Sequence, residues 1–128
     1  MFRMINKLKS RKGFTLIELI VVLAVLAIIM AIAVPRFLGV QESAKEDADY
    51  STGALIAKAA ELYNAKSGIE AANAQVLITA KYIDDFDLQS KDLKATSPSS
   101  IEITYGAGSV TVTADLATDV QLYPDSRP

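Results

Sequence analysis

Three hydrophobic patterns follow one another along the chain. Leu19 to Val34 is unbroken apolar sequence, and Phe14 to Val34 admits only two polar residues, Thr15 and Glu18. Phe37, Val40, Ala44, Ala48, Leu55, Ala59 and Leu62 then recur on a three-and-four-residue period. From Ile101 the period drops to two: Ile101, Ile103 and Tyr105 share one face, as do Val110, Val112, Ala114 and Leu116. These patterns predict, in order, an apolar helix, an amphipathic helix and paired strands.

As a helix, Phe14 to Val34 would reach about 32 Å, and the hydrocarbon core of a bilayer is about 30 Å thick. The helix is expected to run on to about Lys66, with Ser67-Gly68 as its stop signal and Gly53 as a weak point inside it. Its apolar stripe needs a surface to cover it, most simply a sheet. Glu42, Lys45, Glu46, Asp49, Lys58 and Glu61 fall opposite and read as solvated charges. Ala71 to Ala80 reads as a short second helix, followed by the acidic, aromatic stretch Tyr82 to Leu88 and a turn-rich linker from Lys94 to Ser100. Gly106-Ala107-Gly108 joins two strands as a hairpin, and Val120 to Tyr123 adds a third, ended by Pro124. The expected fold is α+β: a small antiparallel sheet laid against the outer half of one long helix.

Charge divides the chain. Arg3, Lys7, Lys9, Arg11 and Lys12 precede Phe14 with no acidic residue among them, whereas Phe14 onward holds eight basic and fifteen acidic residues. Basic flanks stay on the cytoplasmic side, which places the N-terminus inside and the remainder outside. An acidic chain with no basic patch beyond residue 12 is not built to bind nucleic acid. There is no cysteine and no histidine, which removes disulfides, Cys–His or Ser–His catalysis and the usual zinc sites. Asp84, Asp85 and Asp87 offer calcium-type oxygens, but their spacing does not fit an EF-hand loop, so a solvated loop without metal is the expectation. No cofactor is implied.

Glu18 is the informative residue. A charge deep in a bilayer costs about 2.5–3.5 kcal/mol on insertion scales and usually has a partner. A cut after Gly13 would give Phe14 a free α-amine at the helix start, four residues from that carboxylate, in the same chain or a neighbour. At the other end, Pro35 cannot donate to the carbonyl of Ala31 and, with Gly39, predicts a kink. Ala31-Ile32-Ala33 has the small-x-small form of a secretory cleavage site, but the apolar run is too long for one, Glu18 interrupts its start and Pro35 follows the cut.

Lys12-Gly13-Phe14-Thr15-Leu16-Ile17-Glu18-Leu19, the apolar run and Pro35 together resemble the class III signal of type IV pilins and pseudopilins. The match covers about the first 40 residues. The resemblance implies cleavage between Gly13 and Phe14 by a prepilin peptidase and N-methylation of Phe14. It implies that Glu18 neutralises the N-terminal amine of an adjacent subunit, with Thr15 beside it, and that the stretch around Pro35 and Gly39 can bend in a filament. The domains would be a removable leader at residues 1–13, a membrane-spanning and filament-core half-helix at 14–38, and a globular head at 39–128. Many pilins tie down the C-terminal loop with a disulfide, and this chain has no cysteines for one.

On this reading the chain is a structural subunit of a type IV pilus, not an enzyme. It waits in the membrane with its head outside, then joins a homopolymeric helical filament outside the cell. Its partners would be the prepilin peptidase and methyltransferase, and an inner-membrane platform with its motor. Adhesion, twitching motility and DNA uptake all belong to the family. A type II secretion or competence pseudopilin is the alternative within the family. A membrane-anchored extracytoplasmic binding module is the alternative of another class; it needs no cut after Gly13 and leaves Glu18 unexplained.

Overall fold

The computed structural model describes residues 13–94, 96–114 and 119–124. The leader up to residue 12 and Leu116, expected at the end of the second strand, lie outside the described residues. The first element is a 52-residue helix, α1, Leu16–Ser67, with Pro35 inside it. After it come α2, Ala74–Thr79, a short 3₁₀ turn, Pro98–Ser100, and strands β1, Ile101–Gly106, β2, Ser109–Ala114, and β3, Val120–Tyr123. The chain divides into two compact units, the first ending at Phe37 and the second, the head, beginning at Leu38.

The head contains an antiparallel sheet in the order β1-β2-β3. The expected three-residue hairpin is tighter than its sequence suggests. Gly106 pairs with Ser109, so Ala107 and Gly108 alone make the loop, and Gly108 takes the positive φ of 91°. The alternation expected of the strands is present: Ile101 and Ile103 of β1, and Val110, Val112 and Ala114 of β2, point into the core, where Leu122 of β3 joins them. A bulge between Val112 and Thr113 shifts the pairing with β3.

The second helix starts later than its pattern suggests. Asn73 caps it by accepting the Val76 N–H on its side chain at 3.2 Å, and the segment ahead is used to cover the edge of β1. Ile103 N–H donates to the Ala72 carbonyl at 3.0 Å, and Asn73 bridges Glu102. The Tyr105 hydroxyl accepts the Ala71 N–H at 3.0 Å and donates to the Ala60 carbonyl at 3.5 Å, tying helix, loop and strand together. Burial pushes this phenol above its ordinary pKa, against the Ala71 N–H, which pulls the other way.

The face that α1 turns to the core is not the stripe its hydrophobic period marks. The buried positions are Asp49, Gly53, Ile56, Ala57, Ala59 and Ala60. Of the expected stripe only Ala59 is buried; Leu55 is 66 % exposed, Leu62 49 % and Val40 69 %, and Ala44 and Ala48 are exposed as well. The reason is steric and polar together. Gly53 lets the backbone of Leu122 in β3 come close, Ala57 and Ala60 are small side chains buried in the core, and Asp49 finds its donors in the loop at Gln89 and Ser90.

Asp49, expected in solvent, is 1 % exposed. Its two carboxylate oxygens accept the backbone N–H groups of Gln89 and Ser90, both at 2.7 Å. Two helical turns earlier, Glu42 accepts the next N–H in the loop, that of Lys91, and its other oxygen meets Lys45 Nζ at 3.4 Å. Two carboxylates of α1 thus hold three consecutive amides of the loop, which is how a buried acid becomes tolerable. The Lys91 N–H, aided by Lys45, holds Glu42 below the ordinary glutamate pKa, against a smaller opposing effect of desolvation. The Lys58–Glu61 pair, at 3.7 Å, lies in solvent as its sequence position suggests.

Candidate processing and assembly site

The residues singled out at the N-terminus lie where the first helix begins. Gly13, Phe14 and Thr15 precede the helix, and Phe14 is 92 % exposed. Thr15 is the residue before the first helical position, and Glu18 follows three residues on. The Thr15 hydroxyl accepts the Glu18 N–H at 3.3 Å, and the Thr15 N–H donates to Glu18 Oε2 at 2.8 Å. The Thr15 hydroxyl also donates to the same Oε2, at 3.0 Å. This is a capping box: two helix-start N–H donors that would otherwise lack partners are each accepted by the side chain of the other residue.

The box has consequences for the carboxylate. It stands at the positive end of the helix, where an anion is favoured. Both Thr15 bonds fall on Oε2, and among the described residues nothing hydrogen-bonds Oε1. The apolar stretch that follows is long and apolar enough to cross a membrane, and none of it is buried in the fold.

A family profile described as the prokaryotic N-terminal methylation motif matches residues 8–34, the stretch that includes this box. The prepilin peptidase-dependent protein A of Clostridium perfringens is 39 % identical over 75 residues, covering 59 % of this chain and 54 % of that one. The type IV major fimbrial protein FimA of Dichelobacter nodosus is 30 % identical over 110 residues, covering 77 % of this chain and 69 % of that protein. The chain belongs to the type IV pilin and pseudopilin family. It spans about half the length of the first of these relatives. No solved structure matches it.

For this pilin-family chain, the structure brings Thr15 and Glu18 together and leaves Gly13 and Phe14 exposed beside them. Pro35 and Gly39 both fall inside α1. Asp84, Asp85 and Asp87 are exposed, and among the described residues no group of three acidic, histidine or cysteine side chains is placed to share a metal ion. Sequence reasoning did not single out Asp49 or Glu42 as loop-holding residues. The available signal was their spacing: seven residues apart, they share a helix face with Gly53, Ile56 and Ala60.

Proposed function

We propose that the chain is a structural, non-catalytic subunit of a type IV pilus. A prepilin peptidase cuts between Gly13 and Phe14, and Phe14 is N-methylated. The mature chain waits as a single-pass membrane protein with its head outside. An inner-membrane platform and motor then lift it into a helical homopolymer, with Pro35 and Gly39 as the place where α1 bends. The observation that carries this reading is the capped Glu18, one oxygen free, four residues beyond the Phe14 that would bear the new amine. In an apolar core an amine and a carboxylate cost far less together than apart, so the pair gives copies a specific reason to associate that lipid cannot supply. The name of the fimbrial relative supports a pilus. The other relative's name records only dependence on the peptidase, which fits a pilus and a pseudopilus alike.

The test is the N-terminal peptide of material sheared from the cell surface, read by mass spectrometry. N-methyl-Phe14 on filaments visible by electron microscopy is the expected result, and long surface filaments separate a pilus from a pseudopilus. A chain that keeps Met1 and stays in the membrane fraction rejects the reading. Glu18→Ala is expected to insert into the membrane normally and to assemble poorly; wild-type filament yield would remove the charge-pairing role.

A further inference from the structure

We infer that Arg36 seats in the phosphate layer of the membrane leaflet away from the cytoplasm, and so fixes how deep the stored chain sits. The inference rests on the reading of the chain as a membrane-stored subunit and adds the lipid group that holds it. Apolar sequence does not end at Val34. Phe37, Leu38 and Val40 continue it, all exposed, and Arg36 is the one charge between Glu18 and Glu42. Without that charge the apolar stretch from Phe14 would run to Val40, well past the about 20 residues that a helix needs to cross a bilayer. A stretch longer than the hydrocarbon is thick can tilt or slide, so its length alone does not place it. A guanidinium does place it, because it is costly inside hydrocarbon and its stem reaches for the headgroups.

The helix itself offers this guanidinium no partner. The positions that one helical turn brings beside it, Ile32, Ala33, Gly39 and Val40, are all uncharged. Glu42, the next acid along, is engaged by the Lys91 N–H and by Lys45. Among the described residues Arg36 is exposed and makes no ion pair. Its partner must therefore come from outside the chain. At the edge of a bilayer the abundant anion is the lipid phosphate, whose oxygens match the fork of N–H donors on a guanidinium.

Loss of the leader raises the weight on this one residue. Arg3, Lys7, Lys9, Arg11 and Lys12 hold the inner end of the uncut chain to the phosphates of the cytoplasmic face, and they leave with residues 1–13. From Phe14 to Ala44, Arg36 is then the sole basic side chain. At the inner end the new amine of Phe14 is offset by Glu18, so Arg36 carries the unmatched charge of the segment. The cut chain is held to lipid charge at its outer end alone.

The native chain has no cysteine, so one introduced thiol reports the depth of one position. Val40→Cys and, on an exposed position of β1, Thr104→Cys are made in the full chain and reconstituted into vesicles of phosphatidylethanolamine and phosphatidylglycerol. A membrane-impermeant maleimide should label both readily. Adding Arg36→Leu is expected to slow labelling at residue 40 on the order of tenfold, as hydrocarbon takes in Phe37 to Val40, and to leave residue 104 unchanged. Arg36→Lys should label as the parent does. Equal labelling at residue 40 with and without Arg36 overturns the proposal. It does so equally if Arg36→Leu then assembles poorly, because the cation would be serving a protein group in place of lipid. Solid-state NMR reads the phosphate directly. With Arg127→Lys, Arg36 is the only arginine beyond the leader, and lipid phosphorus should dephase its guanidinium carbon signal. No dephasing overturns the proposal and leaves the filament reading intact. Release of the unmodified chain from membranes by alkaline carbonate overturns both readings, and is seen before any labelling.

Discussion

Gly53 and Leu122 meet with no room for a methyl group between them. A Cβ on Gly53 would lie 2.6 Å from Leu122 Cβ and 2.8 Å from the Leu122 carbonyl oxygen. Because the obstruction includes backbone, β3 would have to move. Gly→Ala in a helix gains about 1 kcal/mol in propensity, and forced overpacking costs about 1–3 kcal/mol. Gly53→Ala is therefore expected to destabilise the head by about 1 kcal/mol net. Urea unfolding of the full chain in detergent checks this; a variant as stable as wild type would mean that β3 adjusts freely.

Asp49→Ala would strand the N–H groups of Gln89 and Ser90, the second of them buried. An unsatisfied buried donor costs about 1–3 kcal/mol, so a loss of about 2–4 kcal/mol is expected. Asp49→Asn keeps one acceptor and should lose about half as much. Amide hydrogen exchange at residues 89 and 90 is the direct readout: protection should vanish in the alanine variant and survive at one site in the asparagine variant.

Glu42 makes the head sensitive to acid. Its folded pKa is lowered, mainly by the Lys91 N–H, so its contribution is present above the unfolded glutamate value and is lost as pH falls through the lower folded value. An NMR titration of the Glu42 carboxyl should give a midpoint below the ordinary range, and the Lys91 N–H should lose its protection relative to the intrinsic exchange rate over the same interval. Glu42→Gln should abolish that pH dependence. A midpoint at the ordinary value would mean that the Lys91 contact is not kept in solution.

Tyr105 works in the opposite direction. Its folded pKa is raised by burial, so its contribution is complete below the unfolded tyrosine value and is lost as pH rises through the folded one. Tyr105→Phe removes the acceptor for the Ala71 N–H and is expected to cost about 1–2 kcal/mol. Ultraviolet titration should lose its highest-pH tyrosine in this variant. If all tyrosines of the wild type titrate together, the Tyr105 hydroxyl is not held as described.

How much of this was legible beforehand differs by region. The methylation motif is local, so its pattern over residues 13–18 singled out Glu18 from the residues and Thr15 through the family resemblance, but the capping box that joins the two was not foreseen. The strands were legible because Ile101, Ile103, Val110 and Val112 alternate with polar neighbours on a sheet with one face in solvent. The orientation of α1 was not. Hydrophobic period marks the Leu55 and Leu62 side, whereas β3 comes close at Gly53, a position that carries no hydrophobic signal, and the buried Ala57 and Ala60 beside it carry little. Asp49 was misplaced for a related reason: the backbone amides that make its burial acceptable lie 40 and 41 residues away, beyond the reach of any local pattern.

Leu55 and Ile56 are neighbours in sequence, yet one is 66 % exposed and the other 1 %. A helix divided in this way sorts mutations into two phenotypes that interleave along the chain. Damage at Ile56, Gly53 or Ala60 should appear as lost protein, rescued by lower growth temperature or a compensating change in the strands. Damage at Leu55 or Leu62 should leave normal amounts of folded chain in the membrane. A suppressor screen begun from each class would then draw its second-site changes from different places: the sheet for the first, the outer surface for the second.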